Sequence, residues 1–122
     1  VASPNFLHKE HTCGAAAAGK HVFCEKPMAL SVGDCDAMVA ACEGHGVKLM
    51  VGFNRRFAPL AQQIADFHRG RTEPMHVHYR INAGYLPTNH WTQDPEVGGG
   101  RLLGEVCHFL DFLLFSAPRV RL

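Results

Sequence analysis

The sequence has 122 residues, 47% of them apolar, which suits one ordinary domain with a packed core rather than a disordered tail. Twelve Lys and Arg against eleven Asp and Glu leave a formal net charge of +1, and no basic run follows a phosphate backbone. Neither nucleic acid nor a membrane surface is therefore an expected partner.

No apolar stretch approaches the roughly 20 residues that span a bilayer. Residues 1–10 lack the basic-then-apolar order of a secretory leader. The five cysteines, Cys13, Cys24, Cys35, Cys42 and Cys107, are odd in number and contain no Cys-x-x-Cys pair. They read as reduced thiols in a cytoplasmic setting.

In chain order, residues 1–5 read as the end of a strand entering a Pro-containing turn. Residues 8–18 are Ala-rich and predict a helix that Gly19 stops. Residues 21–24 are a short apolar run, expected as a buried strand ended by Pro27. Ser31 predicts a helix N-cap, with Asp34 and Asp36 in the early turns, where acidic groups suit the helix dipole. That helix is expected to bury Val32, Cys35, Met38, Val39 and Cys42 and to stop near Gly44 or Gly46.

Residues 47–53 predict a second apolar strand, and a third helix follows Pro59 as far as Gly70. Strands that alternate with helices define an α/β unit with parallel strands. After Pro74 the pattern changes. Residues 75–81 alternate, with Met75, Val77, Tyr79 and Ile81 on one face, which predicts a strand. Residues 82–100 form a long polar loop, and residues 101–115 an apolar helix. A boundary falls near residues 59–74. No Gly-x-Gly-x-x-Gly occurs anywhere in the chain.

Two constellations carry chemistry. In the first, a short strand ends in Glu25-Lys26-Pro27. Ligands of open α/β sheets sit beyond the carboxyl ends of the strands, so Lys26 is aimed at the expected site. Its ammonium suits a substrate hydroxyl; the bland alternative is a surface Lys paired with Glu25. In the second, Gly98-Gly99-Gly100 leads into Glu105, His108 and Asp111. On an α-helix Glu105 and His108 share a face, as a general base and its orienting acid would. Asp111 continues that face and could hold the ring or cap a neighbour. The bland alternative is a core histidine bonded to nearby backbone.

Ser3-Pro4-Asn5-x-x-His8, the Ala-rich helix, Gly19-Lys20-His21-Val22-x-x-Glu25-Lys26-Pro27, Asn54-Arg55-Arg56-Phe57 and Gly98-Gly99-Gly100…His108…Asp111 occur in that order. Together they resemble the Gfo/Idh/MocA (glucose-fructose oxidoreductase/inositol dehydrogenase) family, in a piece without its N-terminal glycine-rich part. The resemblance implies an α/β fold: the C-terminal part of a Rossmann-like parallel sheet, followed by the start of an α+β substrate domain. It places a partial dinucleotide-binding domain at 1–58 and the beginning of a substrate and dimerisation domain at 59–122.

The resemblance further implies hydride transfer between NAD or NADP and a sugar, polyol or related hydroxy compound, in a homo-oligomer. It assigns proton handling to Lys26 and His108. Ser3, Pro4, Asn5, His8, Glu25, Lys26 and Pro27 would lie along the cofactor, and Arg56, Trp91 and Asp111 near the substrate. Where the family has an acid four residues before its His, this chain has Gly104, and Glu105 is the nearest carboxylate. These residues alone are expected to bind a dinucleotide weakly, because the phosphate-cradling turn is missing. A non-catalytic remnant acting as a binding module and a zinc-dependent hydrolase using the histidines are the alternative readings. The His8-Lys9-Glu10-His11 run lacks metalloprotease spacing, so no metal ligand is assigned.

Overall fold

The computed structural model describes residues 1–117. A 3-10 turn at Asn5–Leu7 leads directly into helix α1, His8–Ala17. The helix ends where expected: Gly19 takes a φ of +69°, a left-handed conformation that costs a glycine little. Strand β1, Val22–Cys24, follows, then helix α2, Val32–Gly44, and strand β2, Leu49–Val51. The strands are parallel, with Val22 opposite Leu49 and Cys24 opposite Val51, and α2 is the crossover between them. Val1 lies along the far side of β1. Its nitrogen donates to the Phe23 carbonyl and its carbonyl accepts from the Glu25 N–H.

The core lies on one face of this sheet. Val22, Cys24, Ala29 and Met38 form it, with Cys13, Cys35 and Leu49 packed around them. The period of a strand sends Val22 and Cys24 inward and leaves Phe23 half-exposed on the other face. Ser31 caps α2 as its sequence predicts, its Oγ accepting from the Asp34 N–H at 3.1 Å. Such a cap contributes about 1 kcal/mol. The predicted buried face of α2 is only partly right. Met38 and Cys42 are buried, but Val32 is 78% exposed and Val39 also faces solvent. The helix packs along α1, and that contact covers a stripe narrower than the apolar residues of α2.

Beyond β2, Asn54–Phe57 forms a 3-10 turn and Pro59–His68 forms helix α3. Pro59 sits in the first turn, where its missing N–H costs nothing. Arg69, expected to be a solvated helix end, pairs with Asp66, and Arg71 lies over the Phe67 ring at 4.9 Å.

The strand expected at 75–81 does not form. The segment is exposed and carries no ladder. Alternation marks a face, but a strand also needs a partner for its N–H and C=O groups, and among the described residues the sheet holds β1 and β2 alone. Tyr79 still packs edge-on against Phe109, with ring centroids 5.6 Å apart.

The long loop at 82–100 is held by its own hydrogen bonds. Trp91–Gln93 makes a 3-10 turn, the Asp94 carbonyl accepts from the Gly98 and Gly99 N–H groups, and Arg101 donates to the Gly84 carbonyl. The last helix differs from the plain α-helix predicted. It opens with a π-turn, Leu102–Val106, before helix α4, Cys107–Ser116, which packs on α3.

Candidate active site

Because β1 and β2 are parallel, their carboxyl ends meet at one edge of the sheet. β1 delivers Glu25, Lys26 and Pro27 there, and β2 delivers Gly52 and Phe53. The Lys26–Pro27 peptide is cis. Gly52 is needed for closeness: a Cβ there would lie 3.1 Å from both the Glu25 carboxylate and the Phe23 ring. The Glu25 carboxylate accepts from the Lys26 backbone N–H at 3.3 Å.

Three side chains lock this edge to distant segments. His8, almost fully buried, places Nδ1 2.8 Å from the Pro27 carbonyl and Nε2 2.9 Å from the Ser3 carbonyl. It thereby joins the Ser3-Pro4 turn to the Lys26-Pro27 turn. Asn5 Nδ2 donates to the Gly98 carbonyl at 2.8 Å. Lys26 Nζ donates to the Gly104 carbonyl at 2.8 Å. The last two bonds tie the glycine-rich entry and the π-turn to the end of β1. The bland reading of Lys26 as a partner for Glu25 is thus not what the geometry shows; its ammonium reaches a carbonyl of the π-turn.

A π-turn breaks the regular i to i−4 bonding of a helix, and such turns are often found at functional sites. Here Gly104, the position without the family's acid, offers its main-chain oxygen to Lys26. Two glycines in the left-handed region, Gly99 at φ +78° and Gly100 at +75°, bring the chain into this turn.

His108, in the first turn of α4, is 9% exposed, and its Nδ1 is buried without a hydrogen-bond partner. It is therefore not a core histidine satisfied by nearby backbone. Its ring lies 6.2 Å from that of Phe53 and 6.4 Å from that of Phe109. Burial pushes its pKa below the usual imidazole value, the Lys26 and Arg55 cations push it further down, and Asp111 and Glu25 pull it partly back. The neutral imidazole, able to accept a proton, is the form this environment favours. Burial also raises the Cys107 thiol, against a smaller opposing pull from Lys26. That leaves it a packing residue rather than a reactive one.

Three predicted site residues are engaged with protein partners. Glu105 does not orient His108. Within the π-turn the i, i+3 geometry of an α-helix is lost, and Glu105 instead accepts from Arg101 at 2.9 Å. Arg56 and Asp111, expected near a substrate, bind each other in a two-pronged pair, with Arg56 Nε donating to Asp111 Oδ2 at 2.7 Å. The pair clamps α4 to the turn after β2.

The other predicted residues fall as follows. Ser3 and Pro4 form the turn before α1, and Ser3 Oγ also bonds His11 Nδ1. Trp91 is half-exposed beside His90, with ring centroids 5.9 Å apart. Among the described residues no three His, Cys, Asp or Glu side chains cluster as a metal site would need, and all five cysteines are free thiols. Sequence reasoning missed Arg55 and the Gly104 carbonyl. Arg55 had a visible signal, the doubled arginine after β2. A main-chain oxygen has none.

Residues 1–53 match the model of an oxidoreductase family with an NAD-binding Rossmann fold. The chain belongs to this family, the Gfo/Idh/MocA oxidoreductases. It is 40% identical over 119 residues to a 2,7-anhydro-N-acetylneuraminate hydratase of Mediterraneibacter gnavus, covering 94% of this chain and 32% of that protein. It is 37% identical over 122 residues to a 1,5-anhydro-D-fructose reductase of Ensifer adhaerens, covering 94% of this chain and 36% of that one.

In structure it is similar to an aldose-aldose oxidoreductase from Caulobacter crescentus complexed with glycerol. The TM-score is 0.80 at 34% identity, over 95% of this chain and 36% of the other. The chain thus spans about a third of the length of the relatives it matches.

Proposed function

We propose that these residues form the proton-transfer side of an oxidoreductase that moves a hydride between a nicotinamide cofactor and a carbon of a sugar, polyol or related hydroxy compound. The observation that carries this reading is the bond that ties Lys26 to the turn just ahead of His108. Lys26 is anchored on the π-turn, and a buried, unpartnered imidazole follows four residues later.

The residues fit the nicotinamide end of a dinucleotide. A cation at the carboxyl end of a parallel strand, with an orphaned buried nitrogen on the helix beyond it, supports placing such a ring and its substrate here. Ser3, Pro4, Asn5, His8, Glu25, Lys26 and Pro27 would border it. For Asn5 and His8 the side chains already hold the turns in shape, so their contribution is the backbone path they fix. The bound nicotinamide supplies the hydride acceptor or donor.

The chain itself positions and deprotonates. Lys26 donates a hydrogen bond to the substrate hydroxyl and stabilises oxygen as it loses its proton. His108, neutral in its buried setting, accepts that proton. The Gly104 carbonyl holds the ammonium in place beforehand, so little reorganisation is needed at reaction. Residues 1–58 act as part of the dinucleotide-binding domain, and residues 59–122 begin the substrate domain. The rings of Phe53 and Phe109 flank the imidazole, which is largely buried.

The test is Lys26→Ala in a protein that pairs these residues with a glycine-rich phosphate-binding turn. Turnover should fall by about 100-fold or more. Unchanged turnover removes Lys26 from the mechanism.

A further inference from the structure

Arg55 and Arg56 are neighbours with different surroundings. Arg56 is neutralised by Asp111 through two hydrogen bonds. Arg55 lies over the Phe109 ring, its guanidinium carbon 4.7 Å from the centroid, and among the described residues it has no carboxylate partner. Phe109 is the residue after His108, and the two rings are 6.4 Å apart. Arg55 therefore stands beside the imidazole on an exposed side of it, with an aromatic ring as its support.

The charges around His108 do not balance locally. The groups that act on it are Lys26 and Arg55 as cations and Asp111 and Glu25 as anions. Asp111 is already engaged by Arg56. The Glu25 carboxylate accepts from the Lys26 backbone N–H and packs against Gly52. Lys26 itself is held by a neutral carbonyl. Two cations thus face the site without a dedicated counter-ion. A guanidinium presents a rigid fork of donors matched to carboxylate or phosphate oxygens, and stacking on a ring fixes the plane of that fork.

We infer that Arg55 is a specificity residue that pairs with an oxyanion on the substrate, so that the site takes an acidic sugar, carboxylated or phosphorylated, in preference to a neutral one. The inference rests on the proposed sugar oxidoreductase reading and names the substrate class within it. A charge-assisted bidentate pair of this kind changes affinity by about 10- to 100-fold.

The experiment is calorimetric titration of the full-length protein with glucuronate, glucose 6-phosphate and glucose, in the wild type, Arg55→Gln and Arg55→Lys. The expected result is tighter binding of at least one anion than of glucose, by about 10-fold or more. That ratio collapses in Arg55→Gln and is partly kept in Arg55→Lys. Preference for glucuronate identifies a carboxylate as the partner, and preference for glucose 6-phosphate identifies a phosphate. No preference for either anion in the wild type, or a preference unchanged in Arg55→Gln, overturns the inference. Nicotinamide-dependent turnover is followed in parallel. Anion preference without any turnover would fail the oxidoreductase reading alone, and turnover without anion preference would fail this inference alone.

Discussion

The ammonium of Lys26 and the carbonyl of Gly104, 78 residues apart in the chain, share a hydrogen bond of 2.8 Å. That bond joins the end of a parallel strand to a π-turn. It also places a cation close enough to the next helix to depress the His108 imidazole. The proposed chemistry depends on this bridge, because neither half of the chain contains both groups.

The pH dependence follows from the direction of the His108 shift. The base form is the neutral one. Its pKa lies below the usual 6.5, first through burial and then through Lys26 and Arg55. Oxidation should therefore hold its rate as pH falls through 6.5 and decline only below it. Replacing Arg55 by Gln removes one of the depressing charges, so the decline should begin at higher pH. A kcat/KM profile against pH in both proteins checks this; an acid limb centred above 6.5 in the wild type is inconsistent with it.

The Arg56–Asp111 clamp makes a separate prediction about stability. The Asp111 side chain is 8% exposed, whereas Arg56 is 41% exposed, so solvent screens one end of the pair. Asp111→Asn keeps the volume and loses the charge. It should cost about 1–3 kcal/mol in urea unfolding, less than for a fully buried pair. A midpoint equal to that of the wild type would show that the clamp contributes nothing to folding.

Much of this fold was legible in the sequence, for physical reasons. Short apolar runs at 21–24 and 47–53 separated by a Ser-capped helix can only bury themselves as parallel strands with a crossover. Gly19 announced the end of α1 because no other residue takes its backbone angle so readily. Motif order set Lys26 and His108 in one proposed site, and the Lys26 bond to the Gly104 carbonyl supports that reading. The failures share one cause: local periodicity does not report partners. Alternation at 75–81 was present without a neighbouring strand to bond. Val32 and Val39 continued an apolar pattern beyond the width of the α1 contact. Glu105 and His108 were placed by α-helical spacing, which the π-turn abolishes.

Gly98 yields a steric prediction. A Cβ there would lie 2.3 Å from the Thr92 Cα and 2.7 Å from the Thr92 carbonyl, main-chain atoms that cannot swing aside. Gly98→Ala should thus separate the 90–94 turn from the glycine-rich entry and break the bond from Asn5. The expected cost is about 2 kcal/mol or more. Thermal unfolding measures it, and faster amide exchange at Gly98 and Gly99 should accompany it. Wild-type stability in this variant would mean that the loop does not pack on Thr92 as described.

The most direct test of the central claim, that Lys26 and His108 converge on one site, is the NMR titration of the His108 ring in the wild type and in Lys26→Met. Convergence predicts a wild-type midpoint below 6.5 that moves upward when the ammonium is removed. Identical midpoints in the two proteins would contradict it.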